Sequence, residues 1–142
     1  FYVNHKLYVH DQKVGLMAIH KGQIKLIRGG DFFKEERIYT ILPYDSEKLL
    51  IGTRKKGLFV YNPISLEDKE LIREFDTPAK DFLLKNQLYN GAILPDNEFA
   101  LCTREGGLLI LDKLGNIKGI YDEKLGLIDH NVRSVYMSKE GI

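Results

Sequence analysis

Two stretches of this 142-residue chain carry nearly the same pattern. Leu49-Leu50-Ile51-Gly52-Thr53-Arg54-Lys55-Lys56-Gly57-Leu58 lies without a gap over Phe99-Ala100-Leu101-Cys102-Thr103-Arg104-Glu105-Gly106-Gly107-Leu108. The alignment runs on from Ile38 and Leu88. A third Gly-Leu step, Gly15-Leu16, precedes them, and the three anchors are 42 and 50 residues apart. Ile38, Leu88 and Val132 give steps of 50 and 44. One such repeat cannot bury its own apolar face, so it must stack on a neighbour of the same kind.

A period of roughly 40–50 residues suits four-stranded propeller blades or helical arrays, and the pattern inside the repeat separates them. Each repeat holds four short runs rich in branched and aromatic residues. In the second they are 38–42, 49–53, 58–61 and 71–75; in the third, 89–94, 99–103, 108–111 and 117–121. Turn residues bound them, as at Pro43-Tyr44-Asp45-Ser46, Asn62-Pro63 and Pro95-Asp96-Asn97. Residues 81–85 suit one helical turn, and no stretch carries the 3.6-residue apolar period of a longer helix. The glycine before each Leu closes a tight connection between the second and third strands, where positive φ is expected. Leu58 and Leu108 are expected in the core.

The expected fold is all-β: a β-propeller segment of about three four-stranded antiparallel blades, an incomplete ring, because rings close with roughly 4–8 blades. One segment over 1–142 would hold blades at about 1–30 (partial), 37–76 and 87–122, with the next starting over 131–142. The chain begins and ends mid-repeat without an initiator Met, which reads as an excised or processed segment of a longer protein. Open blade edges are a liability, so self-association or low stability in isolation is expected.

Composition removes several functions. With 44% apolar residues the chain can bury a core. Twenty-one basic against 20 acidic residues leave +1, no general attraction for nucleic acid or a membrane surface. Apolar runs are far shorter than the about 20 residues of a membrane span. Cys102, the single cysteine, reads as a small buried hydrophobe, since no base is placed to activate it. Four serines and four histidines (His5, His10, His20, His130) occur without a Gly-x-Ser-x-Gly elbow. His5 and His10 would face opposite sides of a strand. Asp45-Ser46-Glu47 and Asp96-Asn97-Glu98 read as solvated turns, too poor in oxygen ligands for calcium. No catalytic residue, metal or cofactor is expected.

The run Leu49 to Gly52-Thr53, Gly57-Leu58 and Tyr61 resembles the two-component regulator propeller repeat, as do Thr103, Gly107-Leu108 and Asp112. Gly126-Leu127-Ile128-Asp129-His130-Asn131-Val132 resembles that family's connector into the next blade, and 138–142 its following turn. The chain departs from the pattern where the family has Trp (Leu50 and Ala100 here), where Cys102 breaks one Gly-Thr, and where His10-Asp11 replaces another. The resemblance implies the periplasmic sensor region of a membrane-bound receptor. Such regions are followed by an immunoglobulin-like domain, a transmembrane helix and a histidine kinase or other output, and many hybrid members detect oligosaccharides.

In a propeller, the loops entering the innermost strands and those joining the second and third strands converge on one face. Arg37, Tyr39, Tyr89, Asn131 and Arg133 hold the first positions here; Arg54 and Arg104 hold the hairpin tips. Tyrosine faces cover the C–H surface of a pyranose, and planar amide and guanidinium groups bond hydroxyl pairs. Tyr39 and Tyr89 equally suit packing between blades, and Arg54 and Arg104 suit solvated tips. The expected function is therefore non-enzymatic sensing of a small molecule or oligosaccharide. The expected partners are the remaining blades of the propeller and a second copy, with no nucleic acid and no direct membrane contact. A propeller interaction scaffold, or a propeller lyase or lactonase, is the alternative.

Overall fold

The computed structural model of this chain describes residues 1–138. It contains three four-stranded antiparallel sheets. The first is β1 (Tyr2–Val3), β2 (Lys6–Asp11), β3 (Gly15–His20) and β4 (Gln23–Leu26). The second is β5 (Ile38–Pro43), β6 (Leu49–Thr53), β7 (Leu58–Tyr61) and β8 (Ile72–Glu74). The third is β9 (Leu88–Ile93), β10 (Phe99–Thr103), β11 (Leu108–Leu111) and β12 (Ile117–Tyr121). Neighbours in each sheet are neighbours in sequence. The fold class is all-β, consistent with an incomplete propeller. Two compact units divide the chain: Phe1–Glu74 holds the first two sheets, and Phe75–Ile142 the third.

The repeated sequence builds a repeated turn. The Thr53 hydroxyl donates to the Gly57 carbonyl at 2.8 Å and the Thr53 amide to the same oxygen at 2.9 Å. Thr103 and Gly107 make the same two bonds at the same two distances. Each hydroxyl also accepts an amide inside its turn, from Lys56 at 3.2 Å and from Gly106 at 3.0 Å. Both threonines are buried, so these bonds supply the partners that a buried hydroxyl requires. In the first sheet Asp11 stands four residues before Gly15, and its carboxylate accepts the Lys13 amide at 2.7 Å. His10-Asp11 therefore keeps the turn while departing from Gly-Thr.

The glycine that closes each turn has the positive φ expected: +118° at Gly15, +91° at Gly57 and +81° at Gly107. Space is short there as well. A Cβ on Gly107 would stand 2.1 Å from the Tyr121 carbonyl oxygen, and one on Gly15 would stand 2.2 Å from that of Gly30.

In the first unit the two sheets share one core. Tyr8, Leu16 and Ala18 of the first sheet pack with Ile41, Leu49, Ile51, Phe59 and Tyr61 of the second. Phe33 fills the space between, fully buried, with its ring edge-on to Phe32 and Phe59 at centroid distances of 5.1 and 6.1 Å. The Tyr61 hydroxyl donates to the Arg28 carbonyl at 3.1 Å. Burial pushes that phenol's pKa up, the Tyr8 hydroxyl adds to the shift, and Arg28 opposes it.

In the second unit Phe99, Leu101, Leu109 and Leu111 are fully buried, and Phe75 meets Phe99 edge-on at 6.1 Å. Leu58 is in the core as expected, but Leu108 is only half-buried. Its cross-strand partner Tyr121 is itself 45% exposed and covers it incompletely.

Helix exceeds the single turn expected over 81–85. Helix α2 runs Lys80–Asn86, preceded by Thr77, whose hydroxyl accepts the Ala79 amide at 3.1 Å. Ala79 and Leu83, four residues apart, are both buried, and Gln87 ends the helix at φ +59° with its amide on the Leu83 carbonyl. Helix α1 (Asp68–Leu71) takes the first residue of the strand expected over 71–75. Residues 131–138 form no strand, although the Val132 amide bonds to the Thr103 carbonyl at 2.9 Å. Of the turn expected at 138–142, all but Ser138 lies outside the described residues.

Gly107→Ala should destabilise the chain by roughly 1–3 kcal/mol from backbone strain alone, and further from the clash with Tyr121. Gly22→Ala is the control. Gly22 has φ +74° and nothing within 4 Å of the added carbon, so it should show the strain without the clash. Urea midpoints measure both. Equal losses would mean that the turn is looser than described.

Candidate functional site

The turn clamp decides where the candidate residues stand. The residue after each clamp is Gln12, Arg54 or Arg104, and all three are exposed. The backbone holds these positions in place. The Arg54 amide donates to the Arg37 carbonyl at 2.9 Å, and the Arg104 amide donates to the Asn86 and Gln87 carbonyls at 3.0 and 3.1 Å. In the second sheet the buried Glu36 carboxylate accepts the amides of Arg37 and Lys55 at 2.8 and 3.2 Å. The Asn86 carbonyl takes the equivalent amide, that of Glu105, at 3.2 Å in the third sheet. Side chain and main chain thus perform one task at matching positions.

In the second unit, the segment after β12 folds back against the β10–β11 turn. The Gly107 amide donates to the His130 carbonyl at 2.8 Å and the Val132 amide to the Thr103 carbonyl at 2.9 Å. Asn131 and Arg133, on alternate positions of this strip, line a pocket with Arg104 and Tyr89. Its volume is about 200 Å³. The Arg104 guanidinium carbon lies 4.8 Å from the centroid of the Tyr89 ring, within cation–π range. All four pocket residues were singled out from sequence, so the fold brings four of the seven candidates together.

In the first unit, Arg37 and Tyr39 line an open cleft of about 720 Å³ with His10, Asp11 and Gln12. The Arg37 guanidinium carbon is 6.0 Å from the Tyr39 ring centroid. Arg54 lines neither space. The cleft repeats the plan of the pocket: a residue following a turn clamp meets the strand start of the next repeat. There the Glu35 amide is bonded to the Gln12 carbonyl at 2.8 Å. Sequence reading missed His10, Asp11 and Gln12. The shared spacing of Asp11–Gly15, Thr53–Gly57 and Thr103–Gly107 was the signal that could have found them.

The chemistry of other groups is limited. Cys102 is fully buried, and burial pushes its thiol up to about 11. The protonated thiol is a poor nucleophile. His10 Nε2 lies 3.0 Å from the Phe33 carbonyl oxygen. Glu123, Asp129 and His130 bring three metal-ligand-type atoms within 4.8 Å. All three are exposed, and His130 Nδ1 is 3.1 Å from Glu123 and 3.7 Å from Asp129, the geometry of a surface ion pair when His130 is protonated.

No protein-family model matches the chain, and no curated protein matches it. Among solved structures it is similar to the extracellular domain of BT3049 from B. thetaiotaomicron, a protein assigned to a hybrid two-component system. The TM-score is 0.50 at 16% identity. The two share a fold. The match covers 96% of this chain and 23% of that one, so the chain spans less than a quarter of its solved relative.

Cys102 should resist a water-soluble maleimide in the native chain near neutral pH and react once urea unfolds it. Mass spectrometry reads the labelling. Rapid native labelling would contradict the burial of β10.

Proposed function

We propose that this chain is a ligand-sensing part of the extracytoplasmic region of a bacterial two-component receptor. It binds a carbohydrate without converting it, and the signal passes to a histidine kinase output. The observation that carries the reading is the convergence of Tyr89, Arg104, Asn131 and Arg133 on one small pocket. A stacked aromatic, an amide and two guanidinium groups are the donors and surfaces that hold hydroxylated rings. The shared fold with a two-component extracellular domain supports the receptor context. Among the described residues no helix is long and apolar enough to cross a membrane. In this reading the anchor belongs to another part of the receptor, and the chain acts in the periplasm.

The partners are further blades or a second copy. Support comes from one face of the first sheet. Cross-strand pairing places Val9 opposite Met17, Met17 opposite Leu26 and Ile19 opposite Ile24, with Tyr2 opposite Leu7. Ile24 and Tyr2 are 56% and 71% exposed, although the opposite face of the same sheet lies in the core. An apolar sheet face of this kind suits an association surface, and it also favours an interaction scaffold as the second reading.

Titration calorimetry against neutral and acidic oligosaccharides tests the sensing role. At least one should bind, and Asn131→Ala should weaken it about tenfold, the equivalent of losing roughly 1.4 kcal/mol, with an unchanged melting temperature. Absence of binding to every glycan, or release of cleaved products, would overturn the reading. Sedimentation should show concentration-dependent association that Ile24→Lys abolishes; a monomer at all concentrations would contradict the association surface.

A further inference from the structure

We infer that the pocket lined by Tyr89, Arg104, Asn131 and Arg133 recognises the anionic group of an acidic sugar, a carboxylate or a sulfate ester. The inference rests on the sensing role proposed above and names the ligand class. Two guanidinium groups line a space of about 200 Å³ whose lining contains no acidic side chain. Neither Arg104 nor Arg133 forms an ion pair with a described residue.

The acidic groups nearby in sequence are engaged elsewhere. Glu105 accepts from the Gln87 side chain at 3.4 Å. Asp129 accepts the Asn131 amide at 3.0 Å and stands beside His130. Glu123 pairs with His130. The acids therefore leave both guanidinium groups to a ligand. With one face of Arg104 against the Tyr89 ring, its N–H edge remains to bond a planar anion in bidentate fashion. Asn131 adds an amide donor and acceptor for a neighbouring hydroxyl.

Size limits the ligand further. Sites that enclose drug-sized molecules span about 300–1,000 Å³, so this pocket takes one charged residue of a chain rather than a whole oligosaccharide. The cleft of the first unit follows the same plan with different chemistry. Gln12 replaces Arg104 there, and Asp11 joins the lining beside Arg37. The first unit thus lacks the paired cations of the second.

Calorimetry on the chain with four probes tests this: a uronate disaccharide, a sulfated disaccharide, the neutral disaccharide of the same linkage, and inorganic sulfate. At least one charged disaccharide should bind at least about tenfold more tightly than the neutral one, a difference of roughly 1.4 kcal/mol. That advantage should shrink as salt rises. Arg104→Gln and Arg133→Gln should each remove it and leave the melting temperature unchanged. Which charged disaccharide binds better separates carboxylate from sulfate.

Equal binding of neutral and charged probes would overturn the inference and leave the sensing role intact. So would charged binding that survives both substitutions, or inorganic sulfate binding as tightly as the disaccharides, which would mark an adventitious ion only. Failure of all three disaccharides would remove both.

Discussion

A buried hydroxyl bonded to a glycine carbonyl four residues on is the constraint on which the rest depends. At Thr53 and Thr103 side chain and amide close on one oxygen. The glycine must take a left-handed conformation to present it. The bond fixes the length of the turn, and the turn fixes the register of the two strands it joins. Gly52 therefore opposes Leu58 and Cys102 opposes Leu108, and the apolar alternation of each strand falls on the correct faces. Asp11, whose exposed carboxylate cannot donate that bond, stands at the same place and accepts the Lys13 amide instead.

The candidate site follows from that turn. Once the turn is fixed, the residue after the clamp is exposed at the rim of its sheet, free of packing duties. Its neighbour is the backbone strip that leads out of the repeat, held by the bonds from Gly107 to His130 and from Val132 to Thr103. Two hydrogen-bonded backbone segments thus present Arg104, Asn131 and Arg133 toward one volume, and β9 supplies Tyr89 as its wall. Varying a few side chains at these positions changes the chemistry of the space without touching the core. The charged pocket of the second unit and the mixed cleft of the first differ in this way.

Much of this was legible in the sequence because strand period and turn chemistry are local. The bounds of β6, β7, β10, β11 and β12 follow from branched runs between turn residues. Four of the candidate residues meet because their repeat positions are equivalent or adjacent in the plan. What was not legible depended on tertiary packing. Helix α2 forms because Ala79 and Leu83 bury one face, which a seven-residue segment with four polar residues does not announce. Leu108 looked equivalent to Leu58 but is less covered, since burial depends on what lies opposite. The cleft at His10, Asp11 and Gln12 was hidden because Asp replaces Thr in the clamp.

The strip at 130–132 is held against the turn at 103–107 and so gives the pocket its wall. Amide hydrogen exchange at single-residue resolution tests it most directly. The amides of Gly107 and Val132 should exchange far more slowly than the unstructured chain, with protection approaching that of Thr103. Val132 exchanging as fast as a free peptide while Thr103 stays protected would mean that the turn stands without the strip, and that the pocket has no wall.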